Sequence, residues 1–265
     1  MTAVIMFLVC LTASGVGSIA GYGGGVIIKP VLDALHILPV STVSFLSGCT
    51  VLAMSAASLV KSRGNGVKLR IRTTTPLALG AAAGGLLGKQ LFELVKSGSD
   101  ENILGLVQSS LLLVTTALVW LYTLKKDKLP SYSLENLPVC AAVGLALGVV
   151  SAFLGIGGGP LNVAMLFFFF SMDAKEAAKN SIFIILFSQS ASLISALMHQ
   201  NVPEFVWYHL LLMAAGGIGG ALLGAALSRR MDNKAVERLL MALMLVIIGI
   251  NVYNVAVYGM AAAGL

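Results

Sequence analysis

Polar and apolar residues are segregated along this chain into long blocks rather than alternating. A helix that crosses a bilayer needs about 20 apolar residues. Six runs meet that length, at 41–60, 75–95, 103–124, 177–198, 205–227 and 236–258. Two further stretches, 3–38 and 137–171, are too long for one crossing and awkward as two. Glycines interrupt each near its middle, in "IAGYGGGVIIKP" (19–30) and "FLGIGGGPLNVA" (153–164).

The two halves repeat each other. At a shift of 134 positions, Gly21, Gly23, Gly24 and Gly25 fall on Gly155, Gly157, Gly158 and Gly159. Ser47 falls on Ser181, and Ser58-Leu59 on Ser192-Leu193. At a shift of 136, Gly80, Gly84 and Gly88 fall on Gly216, Gly220 and Gly224. A collinear series of this kind marks an internal duplication. It divides the chain into a first repeat (1–124), a cytoplasmic linker (125–136, "KKDKLPSYSLEN") and a second repeat (137–265), all in one membrane domain.

Basic residues orient the halves, because Lys and Arg favour cytoplasmic loops. Clusters at 61–72, 125–128, 175–179 and 229–238 hold 14 of the 17 Lys and Arg residues. With all four inside, the chain leaves and re-enters the cytoplasm between Lys128 and Lys175, using only the stretch 137–171. Its second arm has about 12 residues, or roughly 18 Å at 1.5 Å per residue, against a hydrocarbon core of about 30 Å. The stretch is therefore expected to be a hairpin that dips in and turns back, and so is 3–38. Each repeat becomes one re-entrant hairpin plus three spans. That odd span count inverts the repeats, an arrangement common in secondary transporters. Eight ordinary spans with parallel halves is the competing topology; it would place Arg229 and Arg230 outside.

Composition agrees with a membrane protein. Of 265 residues, 58% are hydrophobic and 11% charged, against about 25% charged in soluble domains. The net charge of +6 reflects loop lysines and arginines rather than a nucleic-acid surface. Cys10, Cys49 and Cys140 all lie in apolar runs without a CxxC pair. His36, His199 and His209 lack zinc-like spacing, so neither a metal nor another cofactor is expected. The first segment has no basic region before its apolar run and is taken as mature structure rather than a cleaved signal. No catalytic motif is visible, and the chain is expected not to be an enzyme.

The glycine clusters admit two readings. A broken helix in lipid needs other partners for its backbone, and a helix restarting after a break presents free N–H groups and a positive dipole end. Two such ends converging would attract an anion, with Gly23, Gly24, Gly25, Gly157, Gly158 and Gly159 at its backbone. Otherwise the glycines only permit the turn. A dinucleotide loop is disfavoured, since no soluble strand–helix unit surrounds them. Gly80, Gly84 and Gly88, and Gly216, Gly220 and Gly224, read as helix-packing seams. They join helices within one chain or between two copies as a homodimer; both remain open. Ser47, Asn180, Ser181 and Gln189 are intramembrane polar residues expected to face the pathway. Lys29 is either an ion-pair partner of Asp33 or an anion contact. Lys89 and Glu93 read as a snorkelling pair near a span end.

"GYGGGVIIKPVL" and "GIGGGPLNVAML", each followed by a serine-bearing span ("VSFLSGCT", "AAKNSIFI"), resemble the TauE/SafE family of sulfite exporters and toluene-sulfonate uptake permeases. The resemblance covers nearly the whole chain. It implies a secondary transporter of the bacterial or archaeal plasma membrane. It also implies a small anionic substrate, foremost sulfite, an organosulfonate or a related sulfur-containing anion, with proton coupling. Carried over by position, it points to Gly23–Gly25, Gly157–Gly159, Ser47, Asn180 and Ser181. Leu46 stands where the second copy has Asn180, so the site is expected to be asymmetric. The alternatives from other classes are a non-transporting subunit or assembly factor of a partner enzyme, and a cation channel, which the absence of an acidic ring disfavours.

Overall fold

The computed structural model describes residues 2–63, 66–128 and 130–263. Gly64, Asn65 and Leu129, which belong to two of the basic loops read above, lie outside the described residues. Ten α-helices follow in order: α1 (Thr2–Ala20), α2 (Gly25–Ala34), α3 (Val40–Lys61), α4 (Ile71–Ser97), α5 (Glu101–Lys125), α6 (Leu137–Leu154), α7 (Pro160–Phe170), α8 (Ala174–Met198), α9 (Trp207–Ser228) and α10 (Asn233–Ala262). No strand occurs among the described residues.

Each expected span is a helix, and each glycine cluster is a break between a long arm and a short one. The second hairpin has arms of 18 and 11 residues. Seven of the eight break glycines have positive φ, the conformation that a side chain disfavours. Gly155 ends α6 in a left-handed cap, with Gly155 and Ile156 donating back to Ala152 and Ser151. Asp173 and Asp232 cap α8 and α10 by accepting from the backbone N–H three residues on.

Seven of these helices are long and apolar enough to cross a membrane, α1 and α6 included. The 27-residue α4 is not among the seven, although its sequence reads as a span. Its glycines and threonines are instead buried between α6 and α8.

Contacts along the helices define two ends of the bundle. Arg229 donates to the Lys61 carbonyl at 2.7 Å, joining the last turns of α3 and α9. Arg70 pairs with Glu176 at 2.6 Å, joining the starts of α4 and α8. Lys126 pairs with Glu237 at 2.6 Å, joining the end of α5 to the start of α10. This is the basic end. At the other end Ser41 donates to Glu101 at 2.6 Å and Thr42 to the Glu204 carbonyl at 3.3 Å.

The hairpins enter from different ends. Arm α1 runs parallel to α9, with Phe7, Leu11 and Gly15 against Gly216, Gly220 and Gly224, so it starts opposite the basic end. The chain after α2 returns there, where His36 packs edge-on against Tyr258. Arm α6 runs parallel to α4, with Ala141, Leu145 and Val149 against Gly80, Gly84 and Gly88. It starts at the basic end, and α7 returns there to offer its Phe170 carbonyl to Arg70 at 2.9 Å.

Both glycine series therefore act inside one chain. A Cβ on Gly80, Gly84, Gly88, Gly220 or Gly224 would drive into a backbone carbonyl of the facing arm. Close small-residue packing of this type joins membrane helices, where no hydrophobic force separates helix from lipid. Each seam also crosses the repeat boundary, since α1 lies on α9 and α6 lies on α4. The seams leave no argument for a second copy.

Candidate functional site

The two breaks meet in the middle of the bundle. A Cβ on Gly25 would touch the Ile156 carbonyl, and one on Gly159 would lie against Val26. Gly23 and Gly157 both face Val51 of α3 and Ile185 of α8. Val51 and Ile185 are 134 positions apart, the repeat shift itself. Tyr22 and Ile156, the residues before the triplets, are equally buried. The Tyr22 hydroxyl donates to the Leu240 carbonyl at 3.3 Å.

A cavity lies on each side of this meeting point. The first, with about 40 Å³ open to the centre of a water-sized sphere, opens between α3, α4, α6 and α8 at the end opposite the basic one. The second, with about 30 Å³ by the same measure, opens at the basic end. They share no lining residue. Nine of the first cavity's twelve lining residues map onto the second by the repeat, seven at a shift of 134 and two at 136. Ser192 maps onto Ser58, Ala152 onto Ser18 and Phe45 onto Lys179. Along α3, Val51 falls between Gly48 of the first cavity and Ser58 of the second. Along α8, Ile185 falls between Ile182 of the second and Gln189 of the first. The two aliphatic side chains and the break glycines thus form a plug between two related vestibules.

The residues expected at the site separate into two groups. Gly23, Gly24, Gly25, Gly157, Gly158 and Gly159 come together at the plug. Ser181 donates to the Gly21 carbonyl at 2.7 Å, which fastens one break. Its counterpart Ser47 is fully buried, and its hydroxyl has no partner among the described residues. Gln189 lines the first vestibule, and its amide nitrogen has no partner among the described residues.

Asn180 and Lys29 are committed elsewhere. The Asn180 oxygen accepts from the Arg70 backbone at 3.1 Å and the Thr74 hydroxyl at 2.6 Å. Its nitrogen donates to the carbonyls of Lys68 and Glu176. All four hydrogen-bonding positions of the amide are filled. Asn180 pins the chain before α4 onto α8 at the basic end. Glu176 braces the same segment, and its hydrogen bonds raise the pKa of the Arg70 guanidinium. Lys29 is 2% exposed and pairs with Asp33 on α2 inside the protein, as the i,i+4 alternative has it. Neither residue presents a polar group to the vestibules.

Four buried amides escaped the sequence reading, among them Asn251, which donates to the Ile247 carbonyl of its own helix at 2.8 Å. Asn162, three residues past the glycine triplet, lies against Gly158, and its oxygen has no partner among the described residues. Gln108 donates to the Phe153 carbonyl at 2.6 Å, and Asn254 to the Pro30 carbonyl at 3.0 Å. Both supply hydrogen bonds to backbone around a break or a proline, which lipid cannot do. The available signal was a lone amide within an apolar run.

A family model described as "Sulfite exporter TauE/SafE" matches residues 6–252. The chain belongs to the TauE/SafE family. It is 28% identical over 273 residues to "Probable membrane transporter protein YunE" of Bacillus subtilis (strain 168), covering 94% of this chain and 96% of that protein. It is 26% identical over 246 residues to a "Probable membrane transporter protein" of Xylella fastidiosa (strain 9a5c), covering 90% and 87% respectively. No solved structure matches it. As a TauE/SafE protein it is a multi-pass membrane transporter, and the vestibules and plug are where its pathway is to be sought.

Proposed function

We propose that this transporter moves a small anion by alternating access between the two vestibules. The observation that carries this reading is the pair of repeat-related cavities on either side of one glycine-lined plug. In such a design two halves of similar fold rock about a central site, exposing it to one end and then the other. The anion is sulfite, an organosulfonate or a related sulfur-containing anion, on the strength of family membership and the donor-rich first vestibule. The repeats 1–124 and 137–265 are inverted, in keeping with hairpins that enter from different ends. The basic end faces the cytoplasm of a bacterial or archaeal plasma membrane. Transport is coupled to protons.

The break backbone, with Ser47 and Ser181, supplies the central contacts, and Gln189 lies beside them in the first vestibule. Glycine allows a solute to approach the main chain, and the restarting helices α2 and α7 offer N–H groups and positive dipole ends. Purified protein in proteoliposomes should carry labelled sulfite or methanesulfonate down a gradient, faster with an opposing or accompanying proton gradient. Absence of flux for both anions, from a folded preparation, would end this reading in favour of a non-transporting subunit.

A further inference from the structure

The vestibules share a frame but not their polar equipment. Packing positions repeat: Ser192 and Ser58, Leu193 and Leu59, Ala196 and Ser62. Three donors of the first vestibule are changed in the other half, and the second vestibule carries different ones, Lys175 and Lys179, the latter already donating to the Ser62 and Val67 carbonyls. Lys89 corresponds to Ala225, Ser44 to Ala178 and Gln189 to Ser55. Ser44 and Gln189 are 8% and 4% exposed, and the Ser44 hydroxyl and Gln189 amide nitrogen have no partner among the described residues. Leaving a buried donor unmade costs free energy, so two lining one cavity point to a guest with hydrogen-bond acceptors.

The third donor is charged. The Lys89 ammonium lies 2.7 Å from Glu93 and 4.5 Å from the centre of the Phe92 ring. An ammonium has three N–H donors, and its contact with Glu93 is an ion pair without hydrogen-bond geometry. Phe92 attracts the cation through its face without using up a directed hydrogen bond. Lys89 and Phe92 both line the first vestibule, whereas Glu93 does not. Lys89 and Glu93 also line a neighbouring, more open cavity, so Lys89 stands at the boundary between that cavity and the first vestibule and can reach a guest entering from one to the other.

We propose that Lys89, Gln189 and Ser44 form a one-sided subsite in the first vestibule for the –SO3 group of a singly charged sulfur oxyanion. This assignment rests on the transport reading above and adds to it which end selects the anion and by which side chains. Three donors match three acceptor oxygens. Glu93 balances the lysine charge, which suits a monoanion over a dianion. The Lys89–Glu93 pair is therefore part of the recognition apparatus rather than a snorkelling pair.

The test uses the full-length protein reconstituted in a known orientation, with methanesulfonate and sulfite as probes added from each side. Lys89→Met, Gln189→Leu and Ser44→Ala are each expected to raise KM about tenfold from the first-vestibule side, the loss of one hydrogen bond to a charged group. Lys89→Arg should recover most of the affinity. A second readout needs no variant. Cys49 lines the same vestibule and is half-buried, while Cys10 and Cys140 are buried. Methanesulfonate should slow alkylation of Cys49 in the wild-type protein, and sodium chloride at equal ionic strength should not. Unchanged KM in all three variants, or no protection of Cys49, in a protein that still transports the probes, overturns the subsite and leaves the transport reading standing. A wild-type protein that carries neither probe overturns both.

Discussion

Val51 and Ile185 close on the same two glycines. A methyl built on Gly23 would lie 2.9 Å from Ile185 and 3.5 Å from Val51; one built on Gly157 would lie 2.6 Å from Val51 and 3.4 Å from Ile185. Both side chains are aliphatic, β-branched and stiff at χ1, which suits a plug. Trimming it should open a leak. Ile185→Ala, alone and with Val51→Ala, is expected to raise downhill sulfite flux severalfold and to weaken its dependence on a proton gradient. The packing cost is about 2–5 kcal/mol for Ile→Ala. Ile185→Val, at about 0.5–1.5 kcal/mol, should leave a tight protein. Tight coupling in the double variant would place the gate elsewhere.

The break itself should tolerate no side chain. Gly157 has φ 82°, where an L-residue is strained, and its missing Cβ is filled by Val51. Gly157→Ala is expected to cost about 1–2 kcal/mol in backbone strain, with further loss from the clash. Flux should fall well below a tenth of wild type. Pairing it with Val51→Ala, which removes the clashing methyls, should recover part of the thermal stability; no recovery would mean that strain alone accounts for the loss.

The glycine seams make a contrasting prediction. Gly84→Leu pushes a side chain into the Leu145 carbonyl across the α4–α6 contact. It should yield little monodisperse protein in detergent. Leu87→Ala, three residues on at a position half-exposed to lipid, should shift stability by no more than about 0.5 kcal/mol. Size-exclusion profiles and melting curves of the two variants decide the matter.

Asn180 should behave as a structural pin. Asn180→Ala strips partners from the Thr74 hydroxyl and the Arg70 backbone N–H, at about 1–3 kcal/mol for each buried donor left unmade. The expected result is a lower Tm and faster proteolysis around residues 66–70, with KM for sulfite unchanged in the protein that remains folded. A raised KM at normal Tm would return Asn180 to the pathway.

Orientation is open to a labelling experiment. In a background with Cys10, Cys49 and Cys140 replaced, single cysteines at the exposed positions Arg72 and Arg230 should react with an impermeant maleimide from the cytoplasmic side. Cysteines at the exposed positions Ser97 and Gln200 should react from outside. Parallel halves would instead separate Arg72 from Arg230.

Much of this architecture is local and so can be read along the chain. Apolar run length sets which segments are helices. Glycines at matched spacing mark the breaks, because the turn demands conformations that other residues avoid. The short arm at 160–171 is legible from length alone, since about 12 residues cannot cross a bilayer. Arg229 and Lys61, assigned to one face by the charge rule, do hydrogen-bond in the structure.

Partner choice is not local, and there the tertiary structure decides. Nothing in "LGAAAGGLLG" says that its glycines receive α6 of the other half rather than a helix of their own. Nor does "AAKNSIF" say whether Asn180 faces a solute or a loop; that depends on Arg70, Lys68 and Thr74 arriving from more than 100 positions away. Lys89 looks like a surface lysine until α8 brings Gln189, and α3 brings Ser44, to the same cavity. Hydrophobic length and backbone permissiveness belong to single segments, so the sequence alone determines the helices and the breaks. Saturation of a polar group, and the meeting of two breaks at one plug, belong to pairs of segments, and only the packed bundle brings those pairs together.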